Sequence, residues 1–361
     1  MMVSFGVDTA AADVGEIVRL VRAYLAHPDS SAPGRGFWAT ADSLDRRAGD
    51  LHRSVAYQGF PATVVGVMSA GPGDSVYLIK VLHATADSTR RQMMPLALQR
   101  LYAVRTPGSE YGWRLSNALP RLTRGWPSRS MGRITFHYAP GQPADPERAA
   151  RAARFVDSVA RLFAVPPPDH LDYFVTASPD EYYRILGLDF FPLPSGRGTA
   201  AGGNALTEAG IVLAGDPAQG EAYLHEIAHI VLGGHLGGGA MLGEGVPTWL
   251  GGSKGRSAQE MFRLLAEYQR AQPHVTLQAL VRGTAGWGSQ ESDASYATGA
   301  LFVDAVYRRG GIAGLRALAG TPSDPTPLLA AMRRHLGLPA SDPEALEGWW
   351  RQAAQAAAAG R

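Results

Sequence analysis

The sequence has no cysteine, so disulfide bonds and thiolate metal ligands are excluded. Its 34 basic and 32 acidic side chains give a formal net charge of only +2, which gives no reason to expect nucleic acid or a membrane surface as a partner. No apolar run is long enough to cross a bilayer, and the first residues lack the basic and apolar regions of a signal peptide. We therefore expect a soluble chain without a membrane span, either cytoplasmic or secreted after removal of a signal.

The first 125 residues have the pattern of a small, separate α+β domain. Apolar residues recur at helical spacing over 14–25, and four β-rich runs follow at 62–68, 75–82, 96–105 and 112–119, divided by Pro-Gly turns. This order predicts helices followed by a four-stranded antiparallel meander, which faintly resembles the cone fold of ketosteroid-isomerase-like domains. No polar cluster of catalytic type occurs in this stretch, so we interpret residues 1–125 as an accessory domain.

Residues 121–130 mix positive charge with chain breakers and predict a domain boundary, with residues 131–361 able to fold alone. The second domain begins with a strand at 132–138 and a helix that Asp145 caps and Pro146 opens. A strand at 171–176 and a helix capped by Ser178 follow. A glycine-rich stretch at 195–205 then leads into a short strand at 211–213. We expect this to be an edge strand, either with an extended substrate paired to it or with no substrate role.

The rest of the chain is predicted to be mainly helical. Apolar spacing indicates helices at 259–270, 295–309, 312–319, 327–336 and 343–359. Residues 284–289 are rich in glycine and predict a loop over a cleft. The fold class is therefore α+β, with a small helix-plus-antiparallel-sheet domain and a larger domain that ends in a helical lobe.

The strongest chemical signal is the segment from His225 to His229, which reads His-Glu-Ile-Ala-His. Histidines four residues apart lie on one face of a helix, so both imidazoles can bind one tetrahedral zinc ion. Glu226 can then reach the open coordination position and act as a general base. The alternative is a core helix with two hydrogen-bonded histidines, but the surrounding apolar residues make buried histidines and glutamates costly without a partner.

Two residues compete for the third ligand position. His235 lies six residues after His229, as in the metzincin pattern, but that pattern requires glycine where this chain has Leu232. Glu244 would complete a His₂Glu site if a second helix brought its carboxylate back to the histidines. We favour Glu244 and keep His235 as the alternative.

Three segments together resemble the gluzincin peptidases of the peptidase MA-like family: His225–His229, Glu244-Gly with Trp249 close behind, and 296–302. The resemblance covers roughly residues 130–320 and implies one zinc ion, with Glu244 as its third ligand and Tyr296 stabilising the tetrahedral intermediate. It also implies a zincin fold and a peptide or protein substrate. Pro247 departs from the family's pattern. Because proline is tolerated only in the first turn of a helix, Glu244 is expected at or near a helix start.

These observations predict a zinc-dependent peptidase in which His225, His229 and Glu244 bind the metal and Glu226 and Tyr296 are catalytic. A metzincin-like peptidase that uses His235 is one alternative. A binding protein with a vestigial zincin domain is the other, and the intact set of site residues argues against it. The sequence leaves open the substrate preference, endo- or exo-cleavage and the oligomeric state.

Overall fold

The computed structural model describes residues 1–27, 36–51, 60–87, 89, 92–191, 202–235, 239–282, 290–340, 342 and 344–360. Over these residues the chain is α+β, with two sheets and twelve α-helices, so the predicted fold class is confirmed. It forms two compact units. The first contains Met1–Ser128, His137–Gln142 and Thr176–Leu193, and the second contains Arg129–Phe136, Pro143–Val175 and Pro194–Arg361.

The first unit contains a sheet with a helix packed on it. Its strands are β1 (Met2–Val3), β2 (Ala62–Ser69), β3 (Val76–Asp87), β4 (Gln92–Arg105) and β5 (Trp113–Ser116), paired in that order. Its helices are α1 (Ala12–Ala26), α2 (Ser43–Ala48) and α3 (Leu119–Leu122). Strands β2 to β5 are antiparallel, which confirms the predicted meander. Ile17, Leu20 and Val21 of α1 are fully buried in the same core as the sheet residues Ile79 and Leu101.

The first unit also includes a segment that lies far downstream in the sequence. Helix α5 (Pro179–Leu186) leads into β9 (Leu188–Phe190), which pairs antiparallel with β4. Asp189 of this strand forms ion pairs with Lys80 and Arg100 of the meander. The compact units therefore do not follow the contiguous division at 125–131 that the sequence suggested, because residues 137–142 and 176–193 group with the first unit.

The second unit has a five-stranded sheet in the order β10-β11-β8-β7-β6. The strands are β6 (Ser128–Met131), β7 (Ile134–Tyr138), β8 (Leu171–Val175), β10 (Gly203–Leu206) and β11 (Ile211–Ala214), and α4 (Pro146–Phe163) connects β7 to β8. β11 is parallel to β8 and antiparallel to β10, so the prediction that 211–213 forms an edge strand is wrong. All four residues of β11 are buried, as expected for a strand inside a sheet. Among the described strands, β10 lies at this edge.

Helices form the remainder of the second unit. They are α6 (Leu224–Leu232), α7 (Gly239–Gly251), α8 (Ala258–Ala271), α9 (Leu277–Arg282), α10 (Gln290–Ala317), α11 (Pro325–Leu336) and α12 (Ala345–Ala358). The helices predicted at 295–309 and 312–319 are one element, α10, interrupted at Gly311, whose φ of 56° is not helical. The predicted loop at 284–289 lies outside the described residues. Among the helices that are described, none is long and apolar enough to cross a membrane.

Candidate metal centre

Helix α6 carries the two histidines and is almost completely buried. Ile227, Ala228 and Val231 are at most 2% exposed, so apolar packing fixes the rotation of the helix. His225 is buried with them, and His229, one turn later, is half-buried. The helix ends at Gly233, whose φ of 47° is easily adopted only by glycine.

Helix α7 brings Glu244 back to these histidines. The helix begins at Gly239, so Glu244 lies in its second turn, and the expectation that Pro247 would place Glu244 at a helix start is wrong. Pro247 lies inside the helix and leaves the carbonyl of Gly243 without its helical N–H donor. The end of α7 packs closely on the start of α6: a Cβ atom on Gly251 would lie 2.6 Å from the backbone nitrogen of His225.

Three potential ligand atoms converge in the space between the two helices. The Nε2 atoms of His225 and His229 are 3.2 Å apart, and they lie 3.1 Å and 3.3 Å from Oε2 of Glu244. Among the described residues, His225, His229 and Glu244 are the group of at least three His, Asp or Glu side chains that could hold a metal ion. The side chains of His229 and Glu244 are 23% and 29% exposed, so the group is open to solvent on one side.

The hydrogen bond behind His225 determines what its Nε2 atom can do. Nδ1 of His225 lies 2.8 Å from the carbonyl oxygen of Gly252, which can only accept, so Nδ1 carries the proton. In the neutral ring, Nε2 then presents a lone pair to the Glu244 carboxylate oxygen, which is also an acceptor. Two acceptors at this separation require a cation or an extra proton between them.

The dimensions of the group fit a metal ion. Donor atoms in a tetrahedral site with bonds of about 2.0–2.1 Å lie about 3.3 Å apart, and the three observed separations are 3.1, 3.2 and 3.3 Å. The donors are two imidazole nitrogens and one carboxylate oxygen, and they supply one face of such a tetrahedron. The residues present therefore fit a bound metal ion with one position left for a small ligand.

Glu226 lies beside the group and is itself buried, at 8% exposure. Burial raises the pKa of Glu226 above its ordinary value, although the neighbouring His225 and His229 and the backbone of Ala205 in β10 act in the opposite direction. For Glu244 the balance is reversed. Burial alone would raise the pKa of Glu244, but hydrogen bonds with His225 and His229 hold it well below its usual range.

Tyr296 of α10 completes the surroundings of His225. Its ring is parallel to the His225 imidazole, with an interplanar angle of 2° and centroids 5.9 Å apart. Burial and the nearby carboxylates of Glu244 and Glu226 raise the pKa of the Tyr296 hydroxyl. The hydroxyl therefore keeps its proton at neutral pH and can act as a hydrogen-bond donor.

A close crossing of α7 and α10 brings Glu244 and Tyr296 to the same place. Gly245 and Gly299 face each other: a Cβ atom on Gly245 would lie 2.5 Å from the carbonyl carbon of Gly299. On Gly299 it would lie 2.3 Å from the carbonyl oxygen of Met241. Only glycine at these positions allows the two backbones to approach so closely.

His235 does not belong to the group. It ends a short 3₁₀ turn, Gly233–His235, and is exposed to solvent. In a metzincin, glycine three residues after the second histidine turns the chain so that the third histidine reaches the metal. Here that position is Leu232, which is still part of helix α6. The chain therefore does not turn early enough to bring His235 to the other two histidines.

Some residues around the site were not found from the sequence. Gly252 contributes only a backbone carbonyl to His225, and Asp293 forms ion pairs with Lys254 and Arg256, which follow Gly252 in the chain. No sequence motif distinguishes these residues from ordinary surface charges. Comparison with known proteins finds no protein-family model and no curated protein that matches this chain.

Proposed function

We propose that this protein is a zinc-dependent peptidase, with His225, His229 and Glu244 as the zinc ligands and Glu226 as the general base. The observation that carries the proposal is the convergence of the three ligand atoms within 3.3 Å of one another beside a buried glutamate. The resemblance of the three sequence segments to gluzincin peptidases supports the same assignment.

The donor set favours zinc over magnesium and calcium. Magnesium and calcium prefer six or more oxygen ligands, whereas two imidazole nitrogens and one carboxylate oxygen are a common ligand set of catalytic zinc sites. Such a site keeps its fourth position open for water or substrate. When bound, zinc polarises a carbonyl oxygen and lowers the pKa of a water ligand.

Glu226 and Tyr296 have complementary roles in this proposal. The raised pKa of Glu226 makes its carboxylate a better proton acceptor near neutral pH. Glu226 takes a proton as water attacks the scissile carbonyl carbon and later gives that proton to the amine that leaves. The hydroxyl of Tyr296 carries its proton at neutral pH, as an ordinary tyrosine does, and its raised pKa holds that proton more firmly. The hydroxyl can therefore donate a hydrogen bond to the oxyanion that forms.

The edge strand β10 is our candidate for the substrate-binding strand. The backbone of Ala205 in this strand interacts with Glu226, so the strand runs beside the proposed base. An extended peptide that added to this edge would gain main-chain hydrogen bonds with little selection of side chains. We therefore assign the substrate-binding role to residues 203–206 instead of 211–213, because β11 is already paired on both sides.

Peptide hydrolysis by the wild type and the Glu226→Gln variant tests the proposal. Glutamine keeps the shape of the side chain but cannot accept the proton, so hydrolysis of casein or a mixed peptide library should fall at least about 100-fold. The zinc content should not change. The exposed Glu267 of α8 provides a matched control, since Glu267→Gln should keep full activity. Equal activity of wild type and Glu226→Gln, or zinc-loaded wild type that cleaves no peptide, would refute the proposed function.

A further inference from the structure

A short loop directly after α7 contacts His225 from the side opposite the ligand group. Its first residue, Gly252, accepts the hydrogen bond from Nδ1 of His225 at 2.8 Å. The backbone nitrogen of Gly252 donates in turn to the carbonyl of Thr248 at 2.9 Å, which joins the loop to α7. The position of one loop carbonyl therefore controls which nitrogen of His225 carries the proton.

The loop has a tight and unfavourable backbone. Ser253 and Arg256 exchange two backbone hydrogen bonds of 2.9 Å each, and Lys254 between them has a φ of 50°. A residue other than glycine adopts such a φ angle only at a cost in free energy. Gly252 has a φ of 75°, and a Cβ atom there would lie 2.0 Å from the carbonyl oxygen of Arg256. This conformation needs support from outside the loop to persist.

Asp293 of α10 supplies that support. Its carboxylate lies 2.6 Å from Nζ of Lys254 and 3.4 Å from a terminal nitrogen of Arg256. The three side chains are 19% to 34% exposed, so solvent screens these ion pairs less than pairs on the open surface. Asp293 also precedes Tyr296 by three residues on α10, which places both side chains on the same face of the helix.

We propose that Asp293, Lys254 and Arg256 form a clamp that positions His225 for metal binding. The clamp holds the loop so that the Gly252 carbonyl stays on Nδ1 and the lone pair of Nε2 points at the metal position. Without the clamp, the loop relaxes and the imidazole can change its tautomer and orientation. The proposal rests on the metal-binding part of the proposed function and assigns to Asp293 a positioning role rather than a catalytic one.

Two variants remove the clamp in different ways. Asp293→Ala deletes the shared carboxylate and keeps a good helix former in α10. Lys254→Asn deletes one cation and tolerates the positive φ. Asp189→Ala is the matched control, because Asp189 also joins a lysine and an arginine and its side chain is 14% exposed, but it belongs to the first compact unit.

The first measurement is zinc affinity, determined by competition with a chromogenic chelator. Loss of a residue that orients a ligand costs about 10–100-fold in metal affinity, so we expect at least about a tenfold loss for Asp293→Ala and a smaller loss for Lys254→Asn. Asp293→Glu, which keeps the carboxylate, should recover part of the affinity. Asp189→Ala should lower the melting temperature and leave zinc affinity unchanged.

The second measurement is the tautomer of His225 in metal-free protein, observed by long-range proton–nitrogen NMR correlation. We expect a single tautomer with the proton on Nδ1 in wild type and a mixture in Asp293→Ala. Zinc affinity within twofold of wild type in both folded variants, or an equal loss of affinity in Asp189→Ala, would overturn the clamp. A wild type that binds zinc but cleaves no peptide would refute the proposed peptidase and leave the clamp standing.

Discussion

His225 uses both of its ring nitrogens, and this accounts for much of the chemistry at the site. Nδ1 donates to the Gly252 carbonyl, and Nε2 faces His229 and Glu244. A histidine whose second nitrogen is held by a carbonyl is a better and more rigid metal ligand.

The identity of the third ligand is a prediction at the residue scale. Glu244→Ala removes a carboxylate that lies 3.1 Å and 3.3 Å from the two histidine nitrogens, so zinc affinity should fall at least about tenfold. His235→Ala changes an exposed side chain outside the group and should leave zinc affinity almost unchanged. Chelator competition on both variants makes the comparison. The opposite ranking would place His235 on the metal and favour the metzincin-like alternative.

The titratable groups predict how the metal-free protein responds to pH. Burial raises the pKa of Glu226 above its ordinary 4.5. Burial alone would lower the pKa of His229, but its hydrogen bond with Glu244 and the charges of Glu244 and Glu226 raise it above 6.5. Both groups bind protons more tightly when folded. The stabilising contribution of Glu226 is therefore complete below pH 4.5, and that of His229 is complete below pH 6.5. Each contribution is lost as the pH rises through the pKa that the group has in the folded protein.

Glu244 has the opposite effect, since its pKa lies well below 4.5 in the folded state. Its contribution is present above pH 4.5 and is lost progressively as pH falls below that value. The part of the stability that depends on His229, measured as the difference in melting temperature between metal-free wild type and His229→Gln, should therefore rise between pH 8 and pH 6. The difference isolates His229 from His83 and His335, whose pKa values burial lowers. Zinc-loaded protein should show the reverse, because protons compete with the metal for the histidines. Thermal unfolding with and without a chelator over this pH range checks both signs. A difference between metal-free wild type and His229→Gln that shrinks from pH 8 to pH 6 would contradict the assignment.

Local spacing predicted only part of the site. His225, Glu226 and His229 lie within five residues, so the helical repeat alone places both histidines on one face. Glu244 was favoured because Leu232 breaks the metzincin pattern, and the family resemblance implied the same residue. Its position in the second turn of α7 differed from the expectation based on Pro247. The clamp residue Asp293 lies 68 residues after His225, and nothing in its local sequence indicates a partner in the loop after α7.

At the scale of elements, the crossing of α7 and α10 decides whether the site exists. Gly245 and Gly299 remove side chains from the contact, so Glu244 on one helix and Tyr296 on the other can both approach His225. A second tie between the helices is the hydrogen bond from the Trp249 indole to Asp304, at 3.2 Å. The glycines are therefore needed for the spacing of the helices and not for a turn.

Gly299→Ala tests the crossing. The new methyl group would meet the Met241 carbonyl oxygen at 2.3 Å, and because backbone must move, the variant should lose about 1–3 kcal/mol of stability together with zinc affinity. Gly243→Ala is the control, because a Cβ atom on Gly243 has no neighbour within 4 Å. That variant should be neutral or more stable by up to about 1 kcal/mol. Urea unfolding of both variants gives the comparison, and equal stabilities would contradict the role of the crossing.

Long, regularly patterned elements were predictable and short ones were not. The meander from β2 to β5 could be predicted for two reasons. Most of its strands are long enough to show a run of β-forming residues, and turn residues separate them. β1 and β9 have only two and three residues, and their pairing depends on contacts distant in sequence. β11 was recognised as a strand, but its place in the sheet depends on β10, which begins inside the glycine-rich stretch 195–205 and has no strand pattern.

Contacts between residues that lie far apart in the sequence define the compact units of this chain. The chain completes most of the first compact unit by residue 128 and returns to it with 137–142 and 176–193. A cut at residue 130 would remove β9 from β4 and leave Lys80 and Arg100 without Asp189. Periodicity within a segment cannot show which sheet a short strand joins, so the sequence did not predict that residues 137–142 and 176–193 return to the first unit.

The zinc content of the intact protein tests the central claim most directly. Elemental analysis of wild type and His229→Ala, both purified without chelators, measures the metal that the group of His225, His229 and Glu244 retains. We expect about one zinc ion per chain in wild type and almost none in the variant, because two remaining ligands rarely hold a catalytic zinc ion. Wild-type protein that lacks stoichiometric zinc even after zinc is added back, or a variant that keeps it, would contradict the account.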